Sequence, residues 1–210
     1  MREQPKMIRD IPPDLTRSDV GTILVSPWLV GTPERQRAAV DSTIAEWSDL
    51  RWPDAFLSLN CFLNAAGDTV LNYAQWTSDE AHREFMRTQR PALVREIDAA
   101  VADIERPGVV RYRLYRSKIA ADPAPSGSVV VVTADFDGPE RARPWADTAL
   151  RALEEDPVSA HFHVSLDGTR VLVYAEGADD SAWQRVQDIP GPDRFDSQRY
   201  RLYRSLSRPR

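Results

Sequence analysis

The sequence predicts an α+β fold made of two tandem ferredoxin-like domains, each with the element order β-α-β-β-α-β. Three observations support this prediction. The string Arg-Tyr-Arg-Leu-Tyr-Arg-Ser occurs at residues 111–117 and again at 199–205. Pro-Glu-Arg occurs at 33–35 and again at 139–141. The strand and helix patterns between these strings follow the same order in both halves, which indicates an internal repeat.

The first half begins with apolar strand formers at 23–28. Pro33 then opens a helix, because proline fits the first turn of a helix. Apolar side chains recur there at helical spacing, namely Val40, Ile44 and Trp47. A strand at about 55–63 follows, and the turn at Gly67 joins it to a strand at 70–76 as a hairpin.

A second helix begins after Ser78, which is followed by acidic residues typical of a helix N-terminus. Pro91 is expected to divide this helix into two pieces. Its apolar stripe continues through Leu93, Ile97 and Ile104. A last strand at 109–117 then carries the first copy of the repeated string.

The second half repeats this plan after a segment of small residues and prolines. The turn at Gly67 has a counterpart at Gly168, and the residues after each glycine have the pattern of a strand. The predicted organisation is an N-terminal arm at 1–20, a first domain at 21–118, a linker at 119–127 and a second, degenerate domain at 128–206.

Two helices cover only one face of a four-stranded sheet, so the other face of each domain must be buried elsewhere. Both copies lie on one chain. We therefore expect the two sheets to pack face to face as an internal pseudo-dimer with a barrel-like core. Further association of two chains into a homo-oligomer is left open by this arrangement.

Composition and charge limit the classes of partner. The formal net charge is -5 and both signs are interspersed, so there is no basic patch for nucleic acid or membrane. No apolar run approaches the roughly 20 residues that span a bilayer, and the N-terminus has no signal-peptide pattern. We therefore expect a cytoplasmic protein. Cys61 is the one cysteine, which excludes an internal disulfide.

A candidate site lies at the end of the first hairpin. Asn72 and Trp76 share one face of their strand because side chains alternate, and His82 lies one turn into the next helix. A buried asparagine needs hydrogen-bond partners, so Asn72 favours a polar pocket over a dry core. Trp76 and His82 each also have a structural interpretation, as a core aromatic and as a satisfied or surface histidine.

The run from Gly67 to His82, with Asn-Tyr-Ala-Gln-Trp at 72–76, resembles the antibiotic biosynthesis monooxygenase family and particularly its small anthrone oxygenases. The similarity covers the first half well and the second weakly. It implies a dimeric α/β-barrel architecture of ferredoxin-like units, here fused, with a substrate cavity between a sheet and its own helices. It also implies a monooxygenase that oxidises an aromatic polyketide-type phenol or anthrone in antibiotic or secondary-metabolite biosynthesis.

The resemblance extends to individual positions. Asn72 and Trp76 match the pocket asparagine and tryptophan of the family, and His82 stands where the anthrone oxygenases hold tyrosine. Arg95 lies nearest to a further arginine of the family, although the helix pattern turns Arg95 toward water. The other residues that we expect to bind the substrate are Cys61, Phe85 and Met86.

The implied reaction uses neither a bound metal nor a resident cofactor. Triplet oxygen reacts slowly with closed-shell molecules, but an electron-rich phenol or anthrone that has lost a proton can give it an electron. We expect His82 to act as base or proton shuttle. The Asn72 amide and the Trp76 indole N–H would orient the carbonyl and the developing oxyanion, and an apolar cavity would exclude water. Reduced flavin is a second option for activating oxygen.

The second half lacks this set, because the corresponding positions hold Val173, Gly177 and Trp183. It does contain His161 and His163 on one face of a strand. That spacing can bind a metal, but no third ligand is evident in the sequence nearby, so a metal site is disfavoured.

Two other functions stay open at this point. One is a binding protein that keeps the cavity but has no turnover. The other is a haem-binding relative, because the family also contains haem degraders. Those proteins place the axial histidine where this sequence has Met86, one helical turn from His82, so haem is disfavoured.

Overall fold

The structure is a computed structural model that describes residues 7–8, 11–121, 128–177 and 180–209. Most of the predicted linker, 122–127, lies outside the described residues, as do 1–6 and 9–10 of the predicted arm. Within the described ranges the chain forms nine strands and five helices, which confirms the α+β class. None of the helices in these ranges has the length and apolar character needed to cross a bilayer.

The elements are, in chain order, β1 (Met7–Ile8), β2 (Thr22–Leu29), α1 (Pro33–Asp49), β3 (Phe56–Asn64), β4 (Thr69–Trp76), α2 (Asp79–Thr88), α3 (Arg90–Ala100), β5 (Val110–Lys118), β6 (Val129–Asp135), α4 (Pro139–Ala152), β7 (Ser159–Ser165), β8 (Arg170–Glu176), α5 (Asp180–Gln187) and β9 (Arg194–Ser207).

The chain divides into two compact units. The first unit comprises Met1–Val110 and Leu202–Arg210, and the second comprises Arg111–Arg201. Nearly all of β5 therefore belongs to the second unit, and the end of β9 belongs to the first. The predicted domain ranges follow the sequence repeat rather than these contacts, and they stay a prediction.

The sheet of the first unit has the strand order β1-β9-β3-β4-β2. β4 lies between β3 and β2 and pairs with both in antiparallel register. Asn72 on β4 is therefore opposite Cys61 on one side and Ser26 on the other. This central position places the side chains of β4 within reach of groups from both neighbouring strands.

The helices α1, α2 and α3 bury their apolar stripes against one another and against this sheet. Thr32 caps α1, its side chain accepting a hydrogen bond from the Arg35 N–H, and Pro33 begins the helix as predicted. Aromatic rings fill the centre of this core. Trp47 of α1 lies 4.4 Å from Phe56 and 5.1 Å from Phe85, measured between ring centroids.

The break predicted at Pro91 is present. α2 ends at Thr88 and α3 begins at Arg90, so the proline occupies the first turn of α3, where no backbone N–H is required. Ile104 is buried, but it lies beyond the end of α3 at Ala100 rather than on the helix that its spacing suggested.

The hairpin turn between β3 and β4 is tied to the start of α1. The Asn64 side-chain oxygen accepts hydrogen bonds from the backbone N–H groups of Gly67 and Thr69 and from the Gln36 amide. Gly67 has a φ of +84°, and a Cβ at this position would lie 2.7 Å from Pro33 Cγ. The turn therefore requires glycine both for its conformation and for its contact with Pro33.

The second unit has the strand order β5-β7-β8-β6, and the first part of β9 pairs with β6. Helices α4 and α5 cover one face of this sheet over a core of aliphatic and aromatic side chains. A Cβ on Gly168, at φ +78°, would lie 2.8 Å from Pro139 Cβ. The contact between a turn glycine and a helix-opening proline thus occurs in each unit.

Candidate functional site

A cavity of about 100 Å³ lies within the first unit, between the β2–β4 part of the sheet and the three helices. Its wall is mostly apolar and aromatic, and Trp28, Trp47 and Phe85 form much of it. Five polar side chains also reach the cavity, namely Ser26, Thr43, Asn72, His82 and Arg90. A mostly apolar pocket with a small number of polar groups is typical of a small-molecule site.

Asn72 and Trp76 reach the cavity because of the period-two alternation of β4. Both line it, together with Ala74 between them, whereas Tyr73 and Gln75 are buried but do not line it. The side chains on one face of β4 therefore line the cavity, and those on the other face do not.

The Asn72 side chain has a defined orientation. Its Oδ1 accepts a hydrogen bond from the Cys61 thiol at 3.4 Å, and its Nδ2 donates to the Ser26 backbone carbonyl at 3.3 Å. The residue is 7% exposed. An amide nitrogen has two N–H donors, and Ser26 uses one of them. One N–H of Asn72 therefore remains for a ligand in the cavity.

Trp76 is 1% exposed and lies at the centre of the aromatic cluster. Its ring is 5.6 Å from Phe56 and 5.2 Å from Phe85, measured between centroids. Nothing within the described parts of the chain accepts a hydrogen bond from its indole N–H. That N–H is therefore available to a ligand in the cavity.

His82 enters the cavity from the start of α2. Ser78 caps this helix, since its hydroxyl accepts a hydrogen bond from the Ala81 N–H at 3.2 Å. His82 is 5% exposed, and its imidazole stands edge to face against Trp76, with ring centroids 5.1 Å apart and an interplanar angle of 76°. The three side chains that the sequence predicted as catalytic are thus brought to one cavity.

The predicted substrate-binding residues divide into two groups. Phe85 and Met86 line the cavity. Cys61 does not line it: the side chain is fully buried, and its thiol contacts Asn72 instead. Burial raises the pKa of Cys61 to about 12, so the thiol is protonated and serves as a donor. Arg95 lies outside the cavity, with its side chain 75% exposed and paired with Glu96 at 3.5 Å.

Arg90 is a cavity residue that the sequence reasoning missed. It lies on a stripe with the spacing four, four, three, four, formed by His82, Met86, Arg90, Leu93 and Ile97, all of which line the cavity. That spacing could have identified Arg90. The sequence prediction followed only the apolar members of this stripe, so the charged residue between Met86 and Leu93 was not included. The sequence predicted Trp47 only as part of an apolar stripe, whereas the structure shows that it also lines the cavity.

Two of the corresponding positions in the second unit, Val173 and Trp183, are part of its core. Val173 is fully buried, and Trp183 is 5% exposed, with a buried indole N–H that has no partner within the described residues. His161 lies 2.8 Å from the Ser117 hydroxyl, and His163 lies 3.2 Å from the Leu172 carbonyl. Burial lowers the pKa of both histidines to about 4.

Among the described residues there is no group of three or more His, Cys, Asp or Glu side chains placed to hold a metal ion. The two histidines of β7 each have a hydrogen-bond partner, which accounts for their burial without a metal.

Known proteins resemble this chain in structure but not detectably in sequence. No protein-family profile matches the sequence, and no curated protein matches it. An anthrone oxidase-like protein superposes with a TM-score of 0.63 at 13% identity, over 97% of this chain and 96% of that one. A candidate monooxygenase from Lactobacillus acidophilus superposes with a TM-score of 0.55 at 10% identity, over 89% of this chain and 96% of that one.

A point mutant of chlorite dismutase from Candidatus Nitrospira defluvii superposes with a TM-score of 0.56 at 12% identity, over 90% of this chain and 93% of that one. At such identities the likeness concerns the fold alone. The chain therefore shares its fold with an anthrone oxidase-like protein, with a candidate monooxygenase and with chlorite dismutase.

Proposed function

We propose that this protein is a monooxygenase that oxidises an aromatic phenol or anthrone with molecular oxygen, as a step in antibiotic or secondary-metabolite biosynthesis. One observation carries the proposal. Asn72, Trp76 and His82 line the same cavity, and the rest of its wall is largely apolar and aromatic. The shared fold with an anthrone oxidase-like protein agrees with this function.

The proposed chemistry begins with loss of a proton from the substrate. The His82 imidazole takes the proton, and the negative charge moves to the substrate oxygen as an enolate or phenolate. The N–H groups of Asn72 and Trp76 donate hydrogen bonds to that oxygen. The electron-rich anion then reduces oxygen by one electron, which overcomes the spin barrier.

The remaining steps balance without a further reductant. Recombination of the two radicals forms a carbon–oxygen bond and a peroxide, and His82 returns the proton to the peroxide. Cleavage of the oxygen–oxygen bond with loss of the second hydrogen from the same carbon releases water and leaves a quinone. One anthrone and one O₂ therefore give one quinone and one water.

The size of the cavity limits which part of the substrate is enclosed. An apolar cavity of about 150 Å³ takes up benzene in another protein, so about 100 Å³ encloses at most one ring. In a substrate with several fused rings, we place the reacting ring against Trp76 and the other rings at the opening. This arrangement keeps the reactive carbon away from water.

We further propose that the reaction needs no resident metal or cofactor. Reduced flavin, added as a diffusible reductant that activates oxygen, is the alternative to test. The residues present do not fit haem. The cavity is far smaller than a haem macrocycle, Met86 stands at the position of the expected ligand, and His82 packs against Trp76. We also propose that the chain forms an internal pseudo-dimer and that its substrate is a small aromatic molecule.

Oxygen uptake by metal-stripped protein with a dihydroxyanthrone tests the function, with quinone absorbance followed in parallel. We expect uptake without added cofactor, and a fall of about 100- to 1000-fold in kcat for Asn72→Ala, because it removes an oxyanion donor. Asn60→Ala is the matched control, since Asn60 is also a buried asparagine of this sheet but does not line the cavity.

Trp76→Phe removes the indole donor while keeping a ring, and Trp52→Phe is its control, because the Trp52 indole donates to the Trp47 carbonyl in the core. Uptake no faster than the uncatalysed rate, even with reduced flavin, would reject the oxygenase. Binding of the anthrone by that inactive protein, measured by tryptophan fluorescence, would then favour the alternative of a binding protein without turnover.

A further inference from the structure

Arg90 is a cation in the wall of a mostly apolar cavity. It is the first residue of α3 and is half-buried. Within the described part of the chain it makes neither a hydrogen bond nor an ion pair. The arginines near it differ in this respect, since Arg83 pairs with Asp79, Arg87 pairs with Glu84, and Arg106 pairs with Asp98.

The surroundings of Arg90 do not neutralise its charge. Asp98 is the nearby carboxylate, and it accepts a hydrogen bond from Arg106 at 2.7 Å. Arg106 also stacks over Trp28, a wall residue of the cavity, with its guanidinium carbon 4.6 Å from the ring centroid. Two arginines and one carboxylate therefore leave one net positive charge at this part of the wall.

Burial without a partner is unfavourable for the charged form. The pKa of Arg90 is lowered from its ordinary value, mainly by desolvation and further by the charge of Arg106, while Asp98 opposes the shift. A guanidinium nevertheless stays protonated in proteins and has five N–H donors. An acceptor that enters the cavity would find these donors unoccupied.

We propose that Arg90 binds a carboxylate of the substrate, so that the cavity selects aromatic carboxylates over neutral aromatics. The planar guanidinium fork matches two carboxylate oxygens, and such charge-assisted pairs are among the strongest hydrogen bonds in proteins. Phe85 and Trp76 line the same cavity and would provide the contacts to the ring. This substrate class rests on the proposed function, but a binding measurement alone tests the role of Arg90.

The experiment measures binding of 2-hydroxybenzoate and of its neutral counterpart 2-hydroxybenzamide by calorimetry, with the full chain. We expect the wild type to prefer the carboxylate by about tenfold or more, as a charged hydrogen bond would provide. Arg90→Gln should remove this preference and leave amide binding unchanged. Arg90→Lys should restore part of it, because the charge remains while the fork is lost.

Arg87→Gln is the matched control, since Arg87 is an exposed arginine near Arg90 and does not line the cavity. It should bind both probes as the wild type does. Equal preference in the wild type and Arg90→Gln would overturn the role of Arg90, and so would failure of the wild type to bind either probe at millimolar concentration. Carboxylate preference without oxygen uptake would support carboxylate binding by Arg90 and reject the oxygenase function. Oxygen uptake without carboxylate preference would support the oxygenase function and reject carboxylate binding by Arg90.

Discussion

The Cys61 thiol donates a hydrogen bond to the Asn72 side-chain oxygen at 3.4 Å, across the pairing of β3 with β4. Because the Asn72 amide nitrogen also donates to the Ser26 carbonyl, both ends of the amide are held. Cys61 thus positions a cavity residue without touching the cavity itself. This relationship gives the lone cysteine a role other than substrate binding.

We expect Cys61→Ala to lower kcat for oxygen uptake by about fivefold, because a lost hydrogen bond of about 1 kcal/mol lets the amide rotate. Cys61→Ser should keep most of the activity, since its hydroxyl can donate to the same oxygen. KM should change little in both variants. Equal losses in the alanine and serine variants, with both still folded, would show that the thiol acts by packing alone.

The thiol should be unreactive in the native protein. Cys61 is 0% exposed, and burial raises its pKa to about 12, so almost no thiolate exists at pH 8. An aromatic disulfide reagent at pH 8 should label no thiol in the native chain and one thiol per chain in urea. Rapid labelling of the folded protein would contradict the buried position.

Gly67→Ala should destabilise the first unit more than Gly31→Ala does. Both glycines have positive φ, +84° and +85°, so both variants incur about 1 kcal/mol of backbone strain. Only at Gly67 would the new methyl group collide with Pro33, which adds about 1–3 kcal/mol. Urea unfolding of the two variants measures the difference, and equal losses would mean that Pro33 moves aside freely.

The two histidines of β7 should make stability depend on pH. Burial lowers the pKa of His161 and His163 from 6.5 to about 4. Between these values the unfolded chain binds more protons than the folded chain, so the free energy of unfolding decreases as the pH falls. The decrease amounts to at most about 1.4 kcal/mol per pH unit for each histidine.

Urea unfolding at pH 6.5 and pH 5 measures this dependence, in a range above the ordinary carboxylate pKa values of about 4. The double variant His161→Gln, His163→Gln should lose less stability between the two pH values than the wild type. An unchanged slope in the variant would mean that these imidazoles are already protonated in the folded protein or titrate normally.

The local pattern of the sequence predicted much of the first unit. Alternation along β4 placed Asn72 and Trp76 on one face, and the Ser78 cap placed His82 at the start of α2. These relationships depend on residues close together in the chain, where strand and helix periods alone determine direction. The helix break at Pro91 follows from the same local chemistry.

The sequence by itself therefore determined the α+β class and most of the elements, and it placed Asn72 and Trp76 on one strand face with His82 one turn into the next helix. The tertiary structure alone decided that Arg90 rather than Arg95 lines the cavity, that Trp47 closes one wall, and that Cys61 holds Asn72 from behind. The physical reason is that these contacts join segments far apart in the chain. Their distances depend on strand register and on how helices pack, which no local periodicity specifies.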